Sequence, residues 1–418
     1  MLDLDCGQDF DRARDADFFA TIPPRSGVLL VAINSPGARP HLVRTADLRR
    51  AAERLLSPPD PLSKRLNLRE SASGVRYRLT GSKFEQVVTF YRQAKQLLPQ
   101  RYRDLLRLRP AALLKVNLRN TYPRCYVTRR VRGDEAFYFG PFASRRAADT
   151  FAEGFLDLFK IRRCQIKIRR DPTFPGCIYS EMKMCLAPCF AGCTNDEYAA
   201  EVDRVLETLA SGGAYLTGSL ERERFEASEA LDFERAALLH KRHEKAVAAL
   251  RGLPELVQRI ETLDAVIVQR AAGEKSVILF PVRGGMLDAP IPFRFGDAGQ
   301  PASIDSVLRQ ALEPLATQHA TQAKTAAGFN PPGGDDTNRS QPPLDIRRRY
   351  GMRSAAPELG EHLALIARWF YSKPREGEIL FRDREWPYRR IVRAIGRVLN
   401  PPAHADAPQQ SDSQPRSN

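Results

Sequence analysis

Five of the chain's seven cysteines fall within 30 residues: Cys164, Cys177, Cys185, Cys189 and Cys193, with twelve, seven, three and three residues between successive members. A thiolate is a soft, strong ligand, and four of them around one centre form the usual cage for Zn²⁺ or for an iron–sulfur cluster. Pro175, Pro188 and Gly192 break helix beside the sulfurs, so the backbone can wrap a centre rather than run past it. Cys6 and Cys125 stand apart and read as ordinary thiols. An odd number of cysteines, an acidic start (MLDLDCGQDFDRARD) and no run near 18 apolar residues place the chain in a reducing, cytoplasmic setting without a membrane span.

The second chemical feature is charge. The chain of 418 residues holds 65 Lys/Arg against 50 Asp/Glu, a net +15, and residues 99–170 alone hold 18 basic against 6 acidic residues. Within that stretch Arg124, Arg129, Arg130 and Arg132 are interleaved with Tyr122, Tyr126, Phe137, Tyr138, Phe139 and Phe142, and Arg145, Arg146, Arg162 and Arg163 extend the series. Such mixing can stack bases and grip phosphates, and DNA is the first candidate polyanion. The same residues could instead form a sheet core with a solvated basic face, and both readings stay open at this point.

The elements that must position these groups read as an α+β, multidomain chain; at about 150 residues per domain the length allows two to four domains. Ser26–Ile33 suits a buried strand, while Asp47–Leu56 and Phe84–Leu98 have helical spacing, which together make a small α/β unit over 22–107. Residues 110–195 form the basic, cysteine-rich region, with two strands around a Gly-Asp turn in Thr121–Phe142. Residues 196–252 are Glu/Arg/Ala-rich and helical; 260–297 turn to β-type composition, with Gly284 and Gly285 closing a hairpin. The stretch 317–343 reads as a linker, 345–400 as a C-terminal helical segment and 401–418 as a disordered tail. Trp369 and Trp386 mark that segment as a small satellite core or a docking element.

Taken together, ALLKVNLRNTYPRCYVTRRVRGDEAFYFGPFASRRAADTFAEGFLDLFKIRRC and FPGCIYSEMKMCLAPC resemble the middle of the UvrC family of bacterial excinuclease subunits. The resemblance implies a 4Fe–4S cluster on Cys164, Cys177, Cys185 and Cys189, with zinc as the alternative and Cys193 as a possible substitute ligand. It continues into LERERFEASEALDFERAALLHKRHEKA, similar to the UVR motif, a helical hairpin that pairs with a UvrB-type partner. Over 216–250 Leu220, Leu231, Phe233 and Leu238 would carry that contact, with Arg224 and His243 at places usually apolar. LDAVIVQRAAGEKSVILFPVRGGMLDAPIPFRF resembles the small β element that opens the family's second half.

The resemblance also implies a GIY-YIG nuclease unit at the N-terminus, and there the residues depart from it. Leu29 and His41 stand where the motifs have tyrosine, Ala51 where the catalytic arginine belongs and Phe90 where a glutamate holds the divalent metal. The expectation is a degenerate site with no catalytic residues and no catalytic divalent metal, in a protein that lacks the RNase H-like and helix–hairpin–helix regions and acts as an accessory or adaptor in nucleotide excision repair. Two alternatives remain: a single-incision endonuclease with a rearranged site using His41, Arg44, Arg50 and Glu85, or a non-repair binder of another polyanion such as structured RNA.

Overall fold

The computed structural model describes residues 3–35, 37–59, 62, 64–295, 304–312, 349–352 and 357–400; the expected linker and tail lie outside them. The described residues form three antiparallel sheets with helices packed on them. In the first unit β1 (Cys6–Asp9), β2 (Gly27–Ile33), β3 (His41–Thr45) and β4 (Ala72–Leu79) lie in the order β1-β4-β2-β3. Between them run α1 (Asp15–Thr21) and α2 (Leu48–Leu56), and α3 (Lys83–Leu97) and α4 (Tyr102–Leu106) follow. The unbroken apolar run of β2 is explained by burial on both faces. Leu29 and Val31 meet α1 and α2 while Val28 and Leu30 meet α3, as period-two alternation requires. Asp47 and Ser82 cap α2 and α3 by accepting from the N–H groups of Arg50 (2.9 Å) and Glu85 (3.1 Å). Gly27 is needed for close approach, since a Cβ there would sit 2.3 Å from the Arg78 carbonyl oxygen.

The second unit has β5 (Ala112–Asn117), β6 (Cys125–Thr128), β7 (Ala136–Phe142) and β8 (Gln258–Arg259) in the order β6-β5-β7-β8. The two strands expected in 121–142 are present, yet they do not pair with each other, because β5 inserts between them. The helices of this unit are α5 (Arg145–Leu156), the single turn α6 (Ile178–Glu181), α7 (Asn195–Ala210), α8 (Ala214–Glu229) and α9 (Phe233–Leu250). Phe137 and Phe139 of β7 point into the same core as Phe151 and Phe155 of α5, where Phe139 and Phe151 stack at 5.8 Å. Of the six aromatic residues that could have stacked bases, Tyr122, Phe137, Tyr138, Phe139 and Phe142 are buried, and Tyr126 is the partly exposed one. Burial of apolar area outweighs any surface role for the five.

The third unit joins β9 (Ala265–Arg270), β10 (Ser276–Arg283), β11 (Met286–Leu287) and β12 (Ile291–Arg294) to β13 (Glu378–Phe381), which pairs with β9. The Gly284-Gly285 turn has both φ angles positive and brings Val282 opposite Leu287, as the hairpin reading expects. Helix α11 (Leu359–Phe370) covers one face and α10 (Ile304–Leu312) with α12 (Tyr388–Leu399) the other. The C-terminal segment, read from sequence as a small satellite core or a docking element, supplies over 357–400 a strand and two helices to the sheet begun at Ala265. One core also runs through all three units: Val28 and Leu30, Leu113 and Tyr138, and Ile267 and Phe280 belong to a single cluster with Leu363 and Trp369.

Candidate thiol site and nucleic-acid interface

The thiol loop follows α5 and returns to the sheet through α7. Cys177 caps α6, its backbone N–H donating to Ser180 Oγ at 2.9 Å, and the Asp171 N–H donates to the Cys189 carbonyl at 2.9 Å. Three non-glycine residues at four-residue intervals, Lys183, Ala187 and Ala191, adopt left-handed φ angles of 55°, 53° and 62°. A left-handed alanine costs about 1–2 kcal/mol, so this winding is held by its surroundings. It lets the Ala187 N–H donate to Cys185 Sγ at 3.3 Å. Burial pushes the Cys185 thiol up to about 11, and Cys164, Cys189 and Cys177 add to the effect. Cys189 is raised by burial and by Cys177 and Cys164. Cys193 lies one step outside: after burial its neighbours are Glu197 and Arg170, with Cys189 last. Among the described residues no three His, Cys, Asp or Glu side chains are close enough to hold a single metal ion. Cys125 is buried in β6 and Cys6 is exposed on β1, both away from the loop.

The arginines divide by burial. Arg129, Arg130, Arg132, Arg145 and Arg146 are exposed. Arg124 lies over the Tyr126 ring at 4.6 Å beside a polar hollow lined by Asn117, Asn120 and Gln165. Arg162, expected to face phosphate, is buried; its Nε donates to the Tyr122 carbonyl and its Nη1 to the Ile166 carbonyl, each at 2.8 Å. These bonds tie the thiol loop to the sheet. Arg163 pairs with Asp157 at 2.8 Å and is largely covered.

In the hairpin, Leu231 takes a φ of 58° between α8 and α9, and Asp232 caps α9 by accepting from the Arg235 N–H at 3.0 Å. Leu220, expected to face a partner, is 3% exposed and packs inward with Ala227, Leu239 and Ala246. Leu231 (72%), Phe233 (66%) and Leu238 (60%) do face solvent, joined by Phe225 (67%), which sequence reasoning missed. Phe225 lies among charged residues in ERERFEASE, and only the pairing of the two helices reveals its outward side. Arg224 Nη1 meets His240 Nδ1 at 3.2 Å.

Leu29, Ala51 and Phe90 are buried among apolar neighbours, and the Arg44 guanidinium lies over the Phe90 ring at 5.2 Å. His41 is partly buried, its imidazole lowered first by burial and then by Arg54. Glu85 is buried, with its carboxylate accepting from the Gly81 N–H at 2.8 Å; burial raises its affinity for a proton. Arg44 and Glu85 open onto different cavities, and Arg50 is exposed on α2.

The basic α+β unit with its thiol-rich loop is the part of the chain in which a UvrC-like protein is recognised by comparison. Residues 112–208 match the family described as "UvrC/Cho excinuclease, middle domain". The chain is 32% identical over 215 residues to UvrABC system protein C of Nitratidesulfovibrio vulgaris, covering 49% of this chain and 30% of that relative. It is 33% identical to the protein of that name from Ruminiclostridium cellulolyticum (47% and 33%), and 26% identical over 268 residues to that of Dehalococcoides mccartyi (64% and 42%). The chain therefore spans well under half the length of these curated relatives. No solved structure matches. Among the described residues no helix is long and apolar enough to cross a membrane.

Proposed function

We propose that the protein is a DNA-binding accessory of nucleotide excision repair that has lost GIY-YIG nuclease chemistry and docks a UvrB-type partner through the α8–α9 hairpin. The observation that carries the reading is Phe90. In the family's nuclease a glutamate there holds the metal, and here an apolar ring under the Arg44 guanidinium fills the place. A divalent cation that polarises phosphate or activates water needs such a carboxylate, and Phe90 offers none. The test is a nicking assay on damaged and undamaged duplex with magnesium and with manganese. No incision is expected, and reproducible incision abolished by Glu85→Gln would establish the rearranged enzyme instead.

Binding is supported by the exposed Arg129, Arg130, Arg132, Arg145 and Arg146, and docking by the exposed Phe225, Leu231, Phe233 and Leu238. Cys164, Cys177, Cys185 and Cys189 are the residues that would hold a 4Fe–4S cluster, which bound there would supply structural cross-linking of the loop. The donor chemistry fits: four thiols of one loop, one of them already accepting a backbone N–H. A tetrahedral zinc ion on the same four thiolates is the alternative, and metal analysis distinguishes the two.

A further inference from the structure

Where the three units meet lies a cleft of about 810 Å³ whose wall carries Arg44, Arg107, Arg109, Arg129, Arg145 and Arg368, and no carboxylate. Arg44 comes from β3, Arg107 and Arg109 from the turn after α4, Arg129 from the loop after β6, Arg145 from the start of α5 and Arg368 from α11. No unit makes the site alone. Arg107, Arg109, Arg129 and Arg368 have no salt-bridge partner among the described residues, and Arg145 reaches Asp149 at 3.4 Å. Arg44 is partly buried and faces Arg368 closely enough that, after burial, this like charge disfavours its protonated form. Like charges gathered in a partly desolvated cleft repel, and a bound polyanion relieves that repulsion. Ser144 caps α5 at the same wall, accepting from the Ala147 N–H at 3.1 Å, so the positive end of a twelve-residue helix adds to the field. Apolar side chains, Leu105, Ala112, Phe142 and Ala367 among them, also line it.

We propose that this cleft seats consecutive phosphates of a single nucleic-acid strand, in preference to duplex. The inference deepens the nucleic-acid reading above and rests on it. Guanidinium forks match phosphate oxygens, and apolar side chains accept the sugar and base edges that an unpaired strand leaves uncovered. The volume is that of a small-ligand pocket, about 300–1,000 Å³, which admits a short run of one strand and excludes a double helix.

The test uses the full chain with Arg109→Ala and Arg368→Ala combined, two exposed side chains with no salt bridge among the described residues, and a thermal melt checks that the variant is folded. Probes are a labelled oligothymidylate of about 20 residues and a duplex of equal length, titrated over one salt series. Single-strand affinity is expected to fall about tenfold or more, its salt slope to flatten by about 1.4 (two phosphates at about 0.7 each), and duplex affinity to change less than about threefold. A lysine pair at the same positions should restore most of the loss. Unchanged single-strand affinity and slope, in a protein whose Arg130→Glu, Arg132→Glu, Arg146→Glu variant loses DNA, would overturn the cleft and leave the DNA reading standing. Equal losses on strand and duplex would overturn the strand preference. Thermal stabilisation by inorganic pyrophosphate without any oligonucleotide effect would make the cleft a small-anion site and overturn the proposal. A wild-type protein that binds neither probe would remove both readings.

Discussion

Cys185 shows how one side chain can carry opposite demands. Burial and neighbouring sulfurs hold its thiol up at about 11, so in the metal-free loop it is protonated, and a metal must displace that proton to bind. Cluster loading should therefore weaken as pH falls. Anaerobically purified protein is expected to contain iron and labile sulfide, lost in the Cys185→Ala, Cys189→Ala double variant; stoichiometric zinc without iron would refute the cluster. His362 makes a second residue-scale prediction. Its Nδ1 accepts the Leu287 N–H at 3.0 Å, and burial, with Arg92 and Lys95 nearby and Glu358 and Glu361 opposing, lowers its pKa to about 4. Because the unfolded chain takes up this proton near pH 6.5 and the folded chain does not, stability is full above that pH and falls toward pH 4, by up to about 3 kcal/mol. Denaturant melts of His362→Gln should lose part of that slope; an identical pH profile would show that another group sets it.

Among the elements, the α8–α9 hairpin is the one whose surface least resembles that of a finished domain. Small Ala227 and Ala246 and the longer Leu220 and Leu239 close the seam between the helices, leaving Phe225, Leu231, Phe233 and Leu238 outside. The proposed docking rests on these four exposed apolar side chains. Phe233→Ala is expected to weaken co-purification with a UvrB-type partner by about 2 kcal/mol, roughly thirtyfold, without altering iron content. Undiminished binding would mean that this face serves only its own chain. Helix α11 shows the opposite case, a sealed element. Glu361 accepts from Tyr91 Oη (2.7 Å), Tyr102 Oη (2.7 Å) and Arg103 Nε (2.8 Å), while Glu358 meets Lys95 at 2.8 Å. Replacing Glu361 by Gln keeps the shape and removes the charge, at a cost of about 1–3 kcal/mol. Hydrogen exchange over 357–371 should rise in that variant, and unchanged protection would show that apolar packing alone holds the helix.

Across the whole molecule, charge and topology cooperate. Arg129, Arg130, Arg132, Arg145 and Arg146 are the exposed members of the expected interface. If each meets one phosphate of duplex DNA, log K should fall with log salt at a slope of about −4.5. A slope near zero in anisotropy titrations would exclude electrostatic binding through this face. Gly81 shows how close the units stand: a Cβ there would lie 2.2 Å from the Ala271 backbone, so the first and third units meet main chain to main chain. A shared core with such contacts leaves little room for the units to move independently.

The strand at Ser26–Ile33, the helices at Asp47–Leu56 and Phe84–Leu98 and the Gly284-Gly285 turn were legible in the sequence, since an apolar run, helical spacing and a glycine pair each act within a few residues. The crowding of Cys164, Cys177, Cys185 and Cys189 was equally plain from spacing. Tertiary structure decided which arginines are ligands for their own chain, because Arg162 and Arg130 look alike until α7 and the thiol loop bury one of them. It also placed β5 between β6 and β7 and carried β13 back to β9, pairings set by long-range packing that no local pattern encodes. The arginine cleft has the same origin: its six cations lie from residue 44 to residue 368, and only a core shared by three units brings them to one wall.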